Sequence, residues 1–319
     1  MLDVVARTGD GFEIAAAGHR IVHGGARFTD AVRIDTQVLA ELGALAPLAP
    51  LHQRAGLAIV EALRAARPRL PQVAAFDTAF HASMPVVAQR FALPQAWFER
   101  GVRRYGFHGL SYQYVSGKLR DLPEARAARR VVVAHLGSGA SLCALLDGAS
   151  IATTMSFTPT DGLPMATRCG ALDPSAVLYL MRAHALSDDD VERLLNFESG
   201  LLGVSGESGD IRALLASARP SARLAVDLFV HRIVVEAGAL VAALGGLDAL
   251  VFTGGIGAHQ PIIRQRVAEA FGWLGVECDA ARNAAGEAQF HGARSRVGLW
   301  NIATDEESII AAHTARLMP

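Results

Sequence analysis

Val131-Val-Val-Ala-His-Leu-Gly-Ser-Gly-Ala-Ser-Leu-Cys-Ala-Leu-Leu146 is the stretch that decides the fold. An apolar run, Val131–His135, reads as a strand and ends in Leu136-Gly-Ser-Gly-Ala140; a second apolar run, Leu142–Leu146, leads away. Two such runs around a glycine-rich turn predict a hairpin whose backbone amides are exposed at its tip. Outward from it, Val73–Phe76 reads as a buried strand followed at once by Asp77-Thr78. Ala249–Thr253 reads as a strand running into Gly254-Gly-Ile-Gly257 and then a helix from Pro261 to Phe271, and Val297–Ile302 as another strand. Amphipathic helices are expected at Thr36–Leu42, Arg54–Ala66, Ser187–Asn196 and Pro220–Leu244. Strands ending in glycine turns that alternate with helical stretches are the pattern of an α/β protein. Thr304-Asp-Glu-Glu307 has capping-box spacing, with Thr304 as N-cap and Glu307 at N3 of a last helix. The Arg-rich Asp121–Arg130 segment is expected to connect two lobes at the surface.

With 319 residues, 51% of them hydrophobic, the chain can bury a large core in one large or two ordinary domains. Thirty Lys+Arg against 31 Asp+Glu gives no basic footprint for nucleic acid or a membrane surface. Lys118 is the sole lysine, and Gly117-Lys118-Leu119 is not a P-loop. Cys143, Cys169 and Cys278 show neither metal-ligand nor disulfide spacing, which points to a reduced, cytoplasmic protein. The N-terminus has no apolar leader and no run is long enough to span a membrane.

Three glycine-rich turns, His23-Gly-Gly25, His135-Leu-Gly-Ser-Gly139 and Gly254-Gly-Ile-Gly257, each follow a strand. Backbone amides at such turns can cradle phosphate oxygens without a lysine. His19 and His23 are four apart, but no third ligand is evident and the Gly24-Gly25 turn argues against a helix, so no zinc site is expected. Gly203-Val-Ser-Gly-Glu207 fails as a hydrolase elbow, and no dinucleotide fingerprint follows an N-terminal strand.

Gly18-His-Arg-Ile-Val-His-Gly-Gly25, Ala49-Pro-Leu-His52, Ala75-Phe-Asp-Thr-Ala-Phe-His81, Arg103-Arg-Tyr-Gly-Phe-His-Gly109 and the hairpin resemble, in order, the motifs of acetate kinases. So do Phe157-Thr-Pro-Thr-Asp-Gly-Leu163, Thr167-Arg-Cys-Gly170, Ser199-Gly-Leu-Leu-Gly203, Val251–Gly257 and Thr304–Glu307. The resemblance implies the fold shared with sugar kinases, actin and Hsp70: two ribonuclease-H-like domains around a cleft. It divides the chain into a first domain, 1–79 with 307–319, and a nucleotide-binding and dimerisation domain, 80–306. It also implies that the first domain is N-terminally incomplete, because the family's Asn-x-Gly-Ser-Ser-Ser-x-Lys segment has no counterpart among the residues before His19.

By the same resemblance Arg20 and Arg168 are the active-site arginines, Asp77 orients substrates and metal, His108 steadies the transferring group, and Glu306 helps hold Mg2+ (or Mn2+). Fixed guanidinium charge suits a phosphoryl group moving between two anions. Val22, Leu51, Phe107 and Pro159 match the pocket for the acetate methyl, and a valine goes with acetate over propionate. His135, Gly137, Ser138 and Gly139 match the phosphate hairpin. Asp210, Ile211, Arg212, Gly254, Gly255, Ile256 and Gly257 match the nucleotide site. The sequence departs from the family at Ser138, Ser156, Ala166, Tyr112 and Ala258-His259. The implied activity is reversible in-line transfer from ATP to acetate, giving ADP and acetyl phosphate in a homodimer. A propionate kinase and a non-catalytic nucleotide-binding relative are the alternatives.

Overall fold

The computed structural model describes residues 14–318, without the side chains of Pro50 and Leu51. The chain forms two compact units: unit 1 runs to Ala79 and resumes at Glu306, and unit 2 is Phe80–Asp305.

Unit 1 holds a three-stranded sheet of order β1-β3-β2, with β1 at Ala17–Ile21, β2 at Val32–Arg33 and β3 at Gln72–Phe76. β3 is buried at every residue and pairs in parallel with β1, which places Arg20 opposite Ala75 and Ile21 opposite Phe76. A helix at Thr36–Ala44 is capped by Asp35, whose side chain accepts from Val38 N at 2.7 Å. Phe28 and Phe76 stack at 5.3 Å within a core completed by Ile21, Leu42, Leu57, Val60 and Ala74. The last helix, Glu306–Leu317, approaches β1 closely: a Cβ on Gly18 would clash with Thr314 Oγ1. The capping box expected at Thr304 does not form. The helix starts at Glu306, and Thr304 Oγ1 is buried with no hydrogen-bond partner among the described residues.

Unit 2 is built on a five-stranded sheet of order β6-β5-β4-β7-β8, comprising β4 (Arg130–Leu136), β5 (Ala140–Leu146), β6 (Ala149–Thr153), β7 (Ala249–Thr253) and β8 (Gly298–Asn301). β4 and β5 form the expected antiparallel hairpin, whereas β4–β7 and β7–β8 are parallel. The helix Gly109–Asp121 contributes Tyr112, Val115 and Leu119 to a core shared with Val131, Val133, Cys143, Val251 and Trp300. The 25-residue helix Pro220–Leu244 packs along β5 and β4. Near-complete burial of β4, β5 and β7 explains their almost unbroken apolar sequence.

Asp121–Arg130 does not link the units; it joins the helix Gly109–Asp121 to β4 within unit 2. Gly254-Gly-Ile-Gly257 is not a turn before a helix but the start of one, Gly254–His259, which continues directly from β7.

His81 is fully buried between β6 and the chain before the helix Gly109–Asp121, with Nδ1 2.8 Å from Ser150 Oγ and Nε2 2.9 Å from the Phe107 carbonyl. Burial depresses its pKa to about 4 from 6.5. The folded state therefore resists a proton that the unfolded state takes up, so this contribution is present above pH 6.5 and is lost as pH falls toward 4. Denaturant titrations at pH 7 and pH 5 should show wild type losing about 2 kcal/mol more stability than His81→Gln.

Candidate functional site

In unit 1, the parallel pairing of β1 and β3 aligns Arg20 with the residue that follows the buried strand. Asp77 N donates to Ile21 O at 3.1 Å, continuing the ladder by one residue. Arg20 forks onto the Asp77 carboxylate, with Nε 2.9 Å from Oδ1 and Nη2 2.7 Å from Oδ2. Asp77 is 1% exposed, so it is an ionisable group held in the interior by a charge-assisted, two-point bond. Glu306, in the first turn of the last helix, places Oε2 3.7 Å from Arg20 Nε. Burial pushes the Glu306 carboxyl above its usual pKa; Arg20 opposes that shift and the like charge of Asp77 adds to it. Asp77 strengthens the charge of Arg20 in return. Two carboxylates on one guanidinium leave an excess negative charge and all-oxygen donors, which suits a hard cation such as Mg2+ completed by waters and phosphate oxygens. The donor set fits the ion that the sequence resemblance implies. Among the described residues no group of three or more His, Cys, Asp or Glu could hold a metal.

Unit 2 gathers the hairpin, two histidines and Arg168. His135, the penultimate residue of β4, stacks on His108 with ring centroids 4.1 Å apart. In the hairpin, Gly137 N donates to Gly139 O at 2.9 Å, and Ser138 O accepts from Ala166 N at 3.3 Å. A Cβ on Gly139 would come 3.2 Å from His108 Nε2 and 3.7 Å from Arg168 Nη1. The hairpin tip, His108 and the guanidinium therefore meet at one point. Arg168 donates to the Pro159 carbonyl at 3.1 Å and, among the described residues, has no carboxylate partner. Burial lowers its pKa, the mark of a cation held where water solvates it poorly.

A cavity of about 610 Å³ opens beside the hairpin, lined by Gly137, Ser138, Asp210, Ile211, Arg212, Gly255 and Ile256. Its size is that of a small-ligand site. Asp210 caps the helix Ile211–Ala216 and forks with Arg212, which holds its carboxyl down at about 2. His259, Gln260, Ala166 and Gly209 also line the cavity, although only His259 and Ala166 stand out in sequence, as departures from a pattern. Gly254 and Gly257 do not line it. Gly254 has φ +76° and its Cβ would lie 2.6 Å from Leu136 O; Gly257 is buried near Phe252. Neither Ser156 nor Ala166 has a positive φ, so their side chains are not strained there.

Of the expected methyl-pocket residues, Val22 is half-buried in unit 1, while Phe107 (1% exposed) and half-buried Pro159 belong to unit 2. The side chain of Leu51 lies outside the described residues.

The chain matches the model of the acetokinase family over residues 2–312. It is 55% identical to an acetate kinase of Rhodopseudomonas palustris over 307 residues, which are 95% of this chain and 77% of that protein. An acetate kinase of Rickettsia prowazekii is 41% identical over 96% of this chain and 79% of its own. Among solved structures, a propionate kinase from Francisella tularensis superposes with TM-score 0.95 at 38% identity, covering 99% of this chain and 83% of that one. Porphyromonas gingivalis acetate kinase superposes with TM-score 0.91 at 37% identity, covering 100% and 84%.

Gly254→Ala should lower stability by about 2–4 kcal/mol, because it adds left-handed strain to a clash with the backbone of β4. Gly255→Ala, whose Cβ meets nothing within 4 Å, should leave stability unchanged. Thermal unfolding of the two variants checks this.

Proposed function

The chain belongs to the acetokinase family, and on that premise we propose that it transfers the γ-phosphoryl group of ATP reversibly to acetate, giving ADP and acetyl phosphate. A carboxylate oxygen of acetate attacks the γ-phosphorus as the bond from that phosphorus to the β,γ-bridging oxygen breaks. The nucleophile is already an anion, so no base is required. What the reaction needs is charge compensation and alignment.

The observation that carries this reading is Arg168: a half-buried guanidinium with no carboxylate partner among the described residues, next to a glycine hairpin and the His108 imidazole. Such a cation is poised for the equatorial oxygens of a phosphoryl group. The neighbouring cavity would take the nucleotide, with Ile211 and Ile256 offering apolar surface to the base and the hairpin meeting the phosphates. In unit 1, Asp77 and Glu306 would hold Mg2+ (or Mn2+), which neutralises phosphate charge when bound. Arg20, oriented by Asp77, would bind the acetate carboxylate. Val22 and Leu51 in unit 1, and Phe107 and Pro159 in unit 2, are the residues that resemble the family's methyl-binding positions.

A second reading, propionate kinase, draws on the likeness to the propionate kinase of Francisella tularensis. Val22 favours acetate, and the extra methylene should make propionate a poorer substrate by about tenfold or more in kcat/KM. We further read the enzyme as a cytoplasmic homodimer formed through unit 2. Three cysteines without disulfides suit a reducing compartment. Among the described residues no helix is long and apolar enough to cross a membrane.

Acetyl hydroxamate formation from acetate, Mg-ATP and hydroxylamine tests the proposal. Wild type should give product, and Arg168→Ala should lower kcat by about 10²–10³-fold. A folded wild-type chain that binds ATP yet forms no hydroxamate would overturn the reading.

A further inference from the structure

The stacked imidazoles of unit 2 are each held from behind by a serine. Ser141 Oγ lies 2.8 Å from His108 Nδ1, and Ser111 Oγ lies 2.8 Å from His135 Nδ1. Each Nε2 is on the side of the hairpin: a Cβ on Gly139 would come 3.2 Å from His108 Nε2, and one on Gly137 would come 3.9 Å from His135 Nε2. The two serines differ in what stands behind them. Ser141 also meets the Tyr112 hydroxyl at 2.5 Å, and both Ser141 and Tyr112 are 0% exposed. The Tyr112 ring is fixed edge-on to His81 and His135 and packs among Val115, Val133 and Cys143.

This geometry is directional. A phenol, with a pKa of about 10, is a stronger donor than an alkyl hydroxyl, so in the Tyr112–Ser141 pair the tyrosine donates. The single hydroxyl proton of Ser141 is then available for a ring nitrogen that accepts. The backbone adds a further constraint: His108 has φ +58°, a conformation that a residue with a Cβ keeps only where its surroundings over-determine it. The imidazole is therefore set from its backbone and from its Nδ1 edge.

We propose that Tyr112 and Ser141 are positioning residues, in which the chain Tyr112 O–H to Ser141 O–H to His108 Nδ1 holds His108 as the Nε2–H tautomer and aims that N–H at the transferring phosphoryl group. Neither residue touches substrate; they act through the histidine. Buried hydrogen-bond chains polarise along their length, so loss of the phenol hydroxyl is felt two groups away. The inference deepens the phosphoryl-transfer reading and rests on it.

The test is tautomer assignment by long-range proton–nitrogen NMR on protein labelled with nitrogen-15 histidine, with the His108 signals identified by their loss in His108→Gln. Wild type should show Nδ1 unprotonated and Nε2 protonated. Ser141→Ala should admit the Nδ1–H form and lower kcat by about tenfold, and Tyr112→Phe should lower kcat by about threefold to tenfold with KM for acetate within twofold. In a His108→Gln background, Tyr112→Phe should cost less than a further twofold, because the three groups act as one unit. Wild-type His108 protonated at Nδ1, a tautomer unchanged in Ser141→Ala, or an undiminished Tyr112→Phe effect without His108 would each overturn the proposal. Phenylalanine keeps the buried ring, and if that variant does not fold, the wild-type and Ser141→Ala spectra still decide. The tautomer is read without turnover. A wild-type protein that makes no acetyl phosphate would therefore overturn the functional reading and leave this test standing.

Discussion

In unit 2, β4 pairs in parallel with β7, His135 opposite Thr253, and antiparallel with β5, His135 opposite Ser141; the rest of that site follows from this register. Both glycine runs leave the sheet at the same end because both strands point the same way. Ligands in open α/β sheets bind beyond the carboxyl ends of such strands. A slip of one residue would turn His135 to the opposite face and separate Ser141 from His108. Gly254 permits the close approach of the end of β7 to the end of β4, since any side chain there would strike the Leu136 backbone.

Electrostatics divides the work between the units. Unit 1 buries Asp77 and compensates it with a forked Arg20, an arrangement in which removing one partner strands the other's charge. Unit 2 keeps Arg168 half-buried and, among the described residues, without a carboxylate, which leaves it ready for an anionic ligand. One unit thus supplies charge already satisfied and oriented, and the other supplies charge in need of a partner.

Much of this was legible in the sequence, for stated reasons. Ala249–Thr253 and Pro220–Leu244 match their expected bounds because uniform apolarity and a proline at the helix start are strong local signals. The resemblance to acetate kinases, carried by glycine, arginine and histidine motifs spread along the chain, holds across residues 2–312. The capping box failed because the helix begins at Glu306, and half-buried Thr304 buries its hydroxyl oxygen without a hydrogen-bond partner among the described residues. The helix Gly254–His259 was hidden by its glycines, poor helix formers that tertiary packing overrides. Ser111 and Ser141 are ordinary in sequence. They become meaningful only once β4–β5 pairing and the helix after His108 bring them to the two imidazoles.

A crystal structure of the protein with Mg-ADP tests the central claim most directly, namely that the cradle at the carboxyl ends of β4 and β7 is the nucleotide site. The account predicts the base beside Ile211 and Ile256 and the phosphates directed along Gly137–Gly139 toward Arg168. A nucleotide bound elsewhere, with that cavity filled only by water, would contradict it.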